Sequence, residues 1–407
     1  MQKVIVPQKS PLQILTINSG SSSVKVALYR MERAETLTLS GIVERIGLKG
    51  GSFHLVNGQG ESAVDRHLDL PDHDAALKML FEWLQGHDAL GHAIDAVGHR
   101  VVHGGIKYNQ PHLVSPELVA ALEEFVPLAP AHLPHEIKAI RAVAQCCPGL
   151  PQVACFDTAF HRHMPNVAQA YALPRHLRQA GVIRYGFHGL SYEYIIRELR
   201  VEAGPDVADG RVIVAHLGNG ASMAAVRHGK SIDTTMGFTP TGGLVMGTRS
   251  GDLDPGVVLY LLEERGMSPA AVDEMLNEHA GLVGVSGLSS SMKDLLARES
   301  EDSHAAEAVS LFCYQAKKFL GALAAALGGL DTLVFTGGIG ENAPAVRGRI
   351  CEGLEFLGIR LDPGRNDSNA PVISRDDSLV TVRVMHTNEA LMIARHTRDV
   401  ISQTEGA

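Results

Sequence analysis

Two stretches of the chain carry the same hydrophobic and polar pattern. Residues 14–29 read as an apolar, β-branched run, then a polar turn of Asn18, Ser19, Gly20, Ser21, Ser22 and Ser23, then a second apolar run from Val24 that Lys25 interrupts. Residues 212–226 repeat the layout, with His216, Gly218, Asn219, Gly220 and Ser222 in the polar part. Apolar runs joined by a short turn rich in Gly, Asn and Ser predict β-hairpins. Backbone N–H groups and hydroxyls gathered in such a turn can cradle an anion, and Lys25 adds a positive charge beside the first. By itself the first segment also fits an ordinary Ser/Gly hairpin. Its repetition in the other half of the chain predicts a duplicated α/β fold that offers one anion-binding turn per half.

Between and after the hairpins the pattern predicts alternating strands and helices. Residues 41–56 read as short strands, and residues 75–85 as a helix with Leu77, Leu80, Phe81 and Leu84 on one face. A strand at 94–97 runs into Gly98-His99-Arg100-Val101-Val102-His103-Gly104-Gly105. Ser115-Pro116-Glu117 has the cap, first-turn Pro and early acid of a helix start. Residues 127–134 hold three Pro among apolar neighbours, which predicts an irregular loop that lines something. A helix over 135–147 and a strand over 152–155 lead to Asp157. An Asp at the C-terminal end of a strand is placed where α/β folds put their ligands. His161 and His163 stand two apart beside Met164-Pro165, so a loop rim is favoured over a metal pair. Arg184-Tyr185-Gly186-Phe187-His188-Gly189 is a turn before a helix to about Val201. Residues 233–252 contain five Gly and Arg249, too apolar for a linker, and read as an active-site loop. Ser268-Pro269 starts another helix. Ser303 is expected to cap a long Ala-rich helix, apolar nearly all round, to about Leu327. A strand at 332–335 then runs into the Gly-rich turn Thr336-Gly337-Gly338-Ile339-Gly340-Glu341-Asn342-Ala343, with a helix to about Phe356. Strand, Gly turn and helix start are a geometry that accepts a phosphate or lets a nucleotide lie on bare backbone.

Composition narrows the partners. At 407 residues the chain can hold two or three domains, and 45% hydrophobic with 20% charged is ordinary globular usage. The net charge of −9 argues against nucleic acid and anionic membrane and in favour of a small molecule. Residues 1–11 lack the apolar core of a signal peptide and residues 319–330 are too short to span a bilayer, which predicts a cytoplasmic protein. The five cysteines sit among apolar neighbours and are expected to be buried and reduced. Standard nucleotide motifs are missing: Gly229-Lys230-Ser231 resembles a P-loop tail, but Ala224 stands where Gly is required.

Taken together, Asn18-Ser19-Gly20-Ser21-Ser22-Ser23-Val24-Lys25, the motif from Gly98 to Gly105, Phe156-Asp157-Thr158-Ala159-Phe160-His161, Tyr185-Gly186-Phe187-His188-Gly189, His216-Leu217-Gly218-Asn219-Gly220, the loop from Met236 to Asp254, Thr336 to Ala343 and Thr387-Asn388-Glu389 resemble the acetate kinase family. The match runs in order from about Leu12 to Arg398. It implies an actin-like, Hsp70-like and sugar-kinase-like ATPase fold, two domains closing on a cleft, and a homodimer. The first domain would comprise residues 1–160 with 388–407, because a helix from Asn388 to Val400 returns to it, and the second residues 161–387. The implied reaction is reversible transfer of the ATP γ-phosphoryl group to acetate with Mg²⁺, or Mn²⁺, as cofactor. Propionate or butyrate is the alternative acceptor. A conformational ATPase of the Hsp70 or actin kind is the other class considered, and it has no need of an Arg pair in a small apolar pocket.

By the same resemblance Arg100 and Arg249 would hold the carboxylate and the transferring phosphoryl, His188 would stabilise an equatorial oxygen, and Asp157 would orient substrate or Mg²⁺. Asn18 and Glu389 would complete the metal site. Ser21, Ser23, Lys25, His216 and Asn219, with Gly218 and Gly220, would touch phosphates. Ser291, Lys293, Gly338, Gly340 and Asn342 would line the nucleotide, and Val102, Phe187, Pro240 and the loop near Pro130 the acyl group. The chain departs from the family pattern at several places. Ser290-Ser291-Met292-Lys293 replaces Ser-Ser-Asp-x-Arg, Leu190-Ser191-Tyr192 replaces Thr-Ser-His, and Thr241-Gly242-Gly243 replaces Leu-Glu-Gly. Ala131 stands for a usual Leu and Leu133 for a usual Asn, so a wider acyl pocket is expected unless Leu133 fills it.

Overall fold

Both hairpins form where the alternation places them, and each seeds a sheet. In the first, β1 (Leu12–Ser19) and β2 (Ser23–Met31) pair antiparallel, with Asn18 opposite Lys25. Val24 and Val26 are buried and Lys25 is exposed, as a period of two requires. The computed structural model describes residues 11–86 and 94–404; the segment read for a leader lies, apart from Pro11, outside the described residues. The described parts of Met1–Ala159 and Glu389–Ala407 form one unit, and Phe160–Asn388 form the other.

In the first unit β3 (Glu35–Glu44), β4 (Ser52–Asn57) and β5 (Ser62–His67) extend the hairpin as an antiparallel meander. β6 (Ala96–Val101) and β8 (Gln152–Phe156) add to β1 in parallel, and β7 (His112–Leu113) closes the edge, for the order β5-β4-β3-β2-β1-β6-β8-β7. Successive residues of β1 serve opposite faces. Leu15 and Ile17 join a core with Leu77 and Leu80 of helix His73–Gly86, while Ile14 packs with Ala394 of helix Glu389–Thr404. A strand covered on both sides has no solvent-facing side, so Ile14, Leu15 and Ile17 are all buried and the polar Gln13 and Thr16 between and beside them are buried too.

The second unit contains β9 (Val212–Leu217), β10 (Ala221–Arg227), β11 (Lys230–Thr234), β12 (Thr332–Thr336) and β13 (Thr381–Val384), in the order β11-β10-β9-β12-β13. β9, β10 and β11 are antiparallel, and β12 and β13 run parallel to β9. The central five strands of the first sheet, β3-β2-β1-β6-β8, follow the same sequence of pairings. This is the duplicated actin-like plan. Helix Gly189–Ala203 packs Tyr192, Ile195, Ile196 and Leu199 against Val212, Val214, Ala224 and Val226. Among the described residues no helix is long and apolar enough to cross a membrane.

Several local expectations are corrected. The Pro-rich stretch is more regular than three Pro suggest: Val126–Leu128 form a 3₁₀ turn, and helix Leu133–Cys146 takes Pro134 into its first turn, where a missing N–H costs nothing. The Gly-rich turn after β12 is a helix, Gly337–Asn342, followed by a second, Pro344–Cys351. Asp302, not Ser303, caps the long helix Ser303–Leu327, accepting the N–H groups of His304 and Ala305. That helix buries one face and leaves Tyr314 exposed, so it is not enclosed all round. Cys155, Cys313 and Cys351 are buried, but Cys146 and Cys147 are only half-buried. His228 and Gly229, both at positive φ, form the tight turn between β10 and β11, Lys230 begins β11, and no phosphate loop forms.

Gly98 lets helix Glu389–Thr404 close on β6. A Cβ there would lie 2.3 Å from Thr397 Oγ1 and 2.5 Å from Ile393 Cγ2, both on β-branched side chains with little freedom to turn. Gly98→Ala should therefore destabilise the protein by about 1–3 kcal/mol in chemical denaturation, as overpacking does. An unchanged midpoint would show that this helix does not rest on β6.

Candidate active site

The parallel strands of the first unit deliver three polar side chains to one end of the sheet. Asn18 stands near the end of β1, Arg100 near the end of β6, and Asp157 directly after β8. Arg100 Nε donates to Asp157 Oδ1 at 3.1 Å and Nη2 to Oδ2 at 2.6 Å, a two-point pair, and Nη1 donates to Asn18 Oδ1 at 3.3 Å. Asp157 is 1% exposed and the Arg100 side chain 18%. A guanidinium has five N–H groups, so these three bonds leave two for a ligand. Burial pulls the Arg100 pKa down, but Asp157, Glu389 and Glu136 more than offset this and hold it above its ordinary value. The guanidinium therefore stays charged.

Glu136, which no sequence motif marked, is the second buried carboxyl of this region. It lies in the first turn of helix Leu133–Cys146, and Val102 N–H donates to its Oε2 at 3.1 Å. Burial is the main cause of its raised pKa, about 8, with Asp157 adding to the rise and Arg100 and the Val102 bond opposing it. Val102 itself is buried. The only advance signal was an acid early in a helix that follows an apolar loop. Of the other residues expected in this unit, Ser21 and Lys25 are exposed and Ser23 half-exposed at the β1–β2 turn. His73 Nε2 meets Gly20 O at 2.8 Å and Ile46 N–H donates to Ser22 O at 3.0 Å, which pins that turn. Pro130 and Ala131 are exposed, whereas Leu133 is fully buried in the unit's interior.

The second unit gathers a different set. His188 takes a left-handed backbone conformation, φ 58°, ahead of helix Gly189–Ala203, an unusual state for a non-Gly residue that is often seen at functional sites. Its Nδ1 is 2.8 Å from Ser222 Oγ, and its ring stacks on His216 with centroids 4.4 Å apart. His216 Nδ1 is in turn 2.8 Å from Ser191 Oγ. A Cβ placed on Gly220 would lie 3.3 Å from His188 Nε2 and 3.7 Å from Arg249 Nη1, so imidazole, guanidinium and hairpin turn converge. Arg249 Nη1 donates to Pro240 O at 3.2 Å within the stretch read as an active-site loop. That loop lies flat on the hairpin: Gly247 N–H donates to Asn219 O at 2.9 Å, and a Cβ on Gly247 would fall 1.9 Å from Asn219 Oδ1. Phe187 and Pro240 are buried. His161, expected at a loop rim, is instead an interior strut between Ser231 Oγ at 2.8 Å and Phe187 O at 3.0 Å; His163 is exposed. A Ser hydroxyl and a carbonyl satisfy both ring nitrogens of His161, and that is why it can be buried.

Beside this set lies a cavity of about 790 Å³ lined by Gly218, Asn219, Ser291, Lys293, Gly338 and Asn342 among others, with Met292, Leu296 and Ile339 as its apolar wall. Its volume suits a nucleotide-sized ligand. Six of the residues expected at the nucleotide thus come together. Gly340 does not line the cavity: it is buried against Phe335, Ala215 and Leu217. Ser291 caps helix Met292–Arg298, accepting from Asp294 N–H at 3.3 Å. Arg347, also unmarked in the sequence, holds helix Gly337–Asn342 from below. Fully buried, it donates to Gly340 O and Glu341 O at 2.9 and 3.0 Å, and to Asn366 Oδ1, Asn366 O and Asn369 Oδ1.

A duplicated actin-like fold with an arginine-bearing strand end in one unit and a nucleotide-sized cavity in the other defines an ATP-dependent phosphotransferase. The acetokinase family model matches residues 13–395. An acetate kinase of Rhodopseudomonas palustris is 52% identical, covering 94% of this chain and 97% of its own length, and one of Thermotoga maritima is 43% identical, with 96% and 99% covered. The crystal structure of Porphyromonas gingivalis acetate kinase is 41% identical with a TM-score of 0.86, and that of a propionate kinase from Francisella tularensis is 37% identical with a TM-score of 0.90; each covers 96% of this chain and 100% of its own. The chain belongs to the acetokinase family, and its reaction is phosphoryl transfer with ATP as co-substrate and a carboxyl group as acceptor.

The raised pKa of Glu136 sets a pH dependence. The folded chain keeps this proton up to about pH 8, while the unfolded chain loses it near the ordinary value of 4.5. Between those values the folded state binds more protons, so this group's contribution to stability is full below 4.5 and is lost as pH rises through 8. Glu136→Gln keeps an acceptor for Val102 N–H and carries no charge. Its thermal midpoint relative to wild type should rise steadily from pH 5 to pH 8, and a difference that stays flat would show that Glu136 titrates normally.

Proposed function

We propose that the protein transfers the γ-phosphoryl group of ATP reversibly to acetate, giving acetyl phosphate and ADP, with propionate or butyrate as the alternative acceptor. The observation that carries this reading is the convergence of His188 Nε2 and Arg249 Nη1 on Gly220, beside the cavity that gathers the nucleotide residues. A carboxylate is already ionised at neutral pH and attacks phosphorus without a general base, so catalysis reduces to positioning and charge stabilisation. Arg100 and Arg249 are assigned to the acceptor carboxylate and the transferring group, and His188 to an equatorial phosphoryl oxygen. Asp157 fixes the Arg100 guanidinium and keeps it charged. The hairpin-turn residues Ser21, Ser23, Lys25, Gly218, Asn219 and Gly220 supply phosphate donors, and His216 braces His188. Val102, Phe187 and Pro240, all buried, are assigned to the acyl group.

Mg²⁺ fits the first unit. Among the described residues no cluster of three or more His, Cys, Asp or Glu is poised to hold a metal. Asn18 and Glu389 offer oxygen ligands beside Arg100, in keeping with an ion that takes one or two protein oxygens and fills its shell with water and phosphate. When bound, the ion would neutralise charge on the nucleotide phosphates. The reaction is assigned to the cytoplasm, where ATP is available.

The second unit also supports a homodimer. Helix Pro255–Glu263 buries none of its residues, yet Val257, Leu259 and Tyr260 are 42%, 54% and 52% exposed, and Leu253 before it is 44% exposed. An apolar face of this kind is suited to a second copy of the chain, because a symmetric pair would cover it twice. Leu259→Glu should convert a dimer to a monomer in light scattering coupled to size exclusion. A monomeric wild type would remove the assignment.

Trapping acyl phosphate with hydroxylamine, across acetate, propionate and butyrate with ATP as donor, tests the reaction and ranks the acids. Acetate or propionate should be consumed readily, and no hydroxamate from any of the three would overturn the reading. Arg100→Ala and Arg249→Ala should each lower kcat by about two orders of magnitude or more with the fold intact by circular dichroism, as for donors acting on transition-state charge. Near-normal turnover in either variant would remove that residue from the mechanism.

A further inference from the structure

The interior side of His188 carries a relay that the reaction as described does not use. Tyr192 sits one turn after His188 on helix Gly189–Ala203, with its backbone N–H donating to His188 O at 3.1 Å. Its side chain is fully buried, and its hydroxyl lies 2.5 Å from Ser222 Oγ. Ser222, fully buried in β10, is the same hydroxyl that stands 2.8 Å from His188 Nδ1.

We propose that Tyr192 is a positioning residue for His188, acting through Ser222 to keep the imidazole proton on Nε2. Ser222 Oγ has one hydrogen to give and two neighbours, Tyr192 O–H and His188 Nδ1. A phenol is the better donor and poorer acceptor of the two hydroxyl types, so Tyr192 donates to Ser222. That frees the Ser222 hydrogen for His188 Nδ1, which in this arrangement is the bare nitrogen, so that Nε2 carries the N–H. Nε2 is the nitrogen that faces Gly220 and Arg249, where an anionic oxygen needs a donor and a bare nitrogen would repel it. Ring rotation is resisted by the stack on His216, which Ser191 holds in turn. An ordinary phenol keeps its proton, and so stays an uncharged donor, up to about pH 10. The phenol therefore fixes the direction of the relay throughout the neutral range.

This inference rests on the assignment of His188 to a phosphoryl oxygen, and the tautomer can be read without any turnover. Long-range ¹H–¹⁵N correlation spectra of ¹⁵N-histidine protein, with His188 assigned by His188→Gln, should show the Nε2–H tautomer for neutral His188 in wild type. Tyr192→Phe, which removes one oxygen, should give a mixture or the Nδ1–H form. In the hydroxylamine assay Tyr192→Phe should lower kcat roughly tenfold or more, as orienting partners of an imidazole do, with KM for ATP and for the acid within about twofold of wild type. Tyr192→Phe added to Ser222→Ala should cost no further activity, because the relay is already cut. Nδ1–H in wild type, or a full additional loss in the double variant, overturns the relay. Should Tyr192→Phe fail to fold, the wild-type and Ser222→Ala spectra decide, since Ser222→Ala must release the tautomer. A wild type with the expected tautomer but no hydroxamate would sink the kinase reading and leave the relay standing.

Discussion

The two-point pair between Arg100 and Asp157 is the interaction on which the first unit's chemistry depends. Two charges so little exposed are tolerated only when geometry is good and the remaining hydrogen-bonding groups are used, and removing one partner of such a pair costs about 3–5 kcal/mol. The pair therefore locks the ends of β6 and β8 in register. It also settles the charge of what surrounds it. A further carboxylate in the same interior would have to be desolvated next to Asp157, so Glu136 keeps its proton and serves Val102 as a neutral acceptor. The one buried cation offsets Asp157, while burial keeps the proton on Glu136 against the opposing pull of Arg100. Asn18 completes the arrangement as a neutral carbonyl on the third guanidinium contact.

Around His188 the second unit relies on hydrogen bonds between hydroxyls and imidazoles. His188, His216, Ser191, Ser222 and Tyr192 form a hydrogen-bonded group that contains no carboxylate, reaching Thr387 through a 2.8 Å contact of Ser191. Backbone close approach does the rest. Gly247 brings the loop onto Asn219 with no room for a side chain, and the buried Arg347 is satisfied by carbonyl oxygens at the end of helix Gly337–Asn342, where the helix dipole favours a cation. A hydrogen-bonded group without a carboxylate does not repel an anionic ligand.

Legibility differed by kind of feature. Strands flanked by polar turns were readable because a period of two survives whatever packs on top, and Asp157 and Arg100 were readable because residues at the ends of parallel strands are brought together by the sheet. Helix ends were less so. The run from Gly337 to Asn342 looks like a bare turn in sequence and is helical because Glu341 caps Gly337 N–H at 2.9 Å and Arg347, from the next helix, gathers its carbonyls. His161 looked like rim because its partners, Ser231 and Phe187, are 70 and 26 residues away.

The sequence by itself determined the two hairpins, the repeated order of strands, the polar turns and the family, because these follow from local periodicity and from motifs whose residues lie side by side in the chain. Only the tertiary structure decided which buried groups carry protons and which face what. The proton on Glu136, the contact of Tyr192 with Ser222 across 30 residues, and the burial of Gly340 away from the cavity that Gly338 lines are set by desolvation and by neighbours remote in sequence. No period or motif encodes those terms, since each arises only when the sheets close and water leaves.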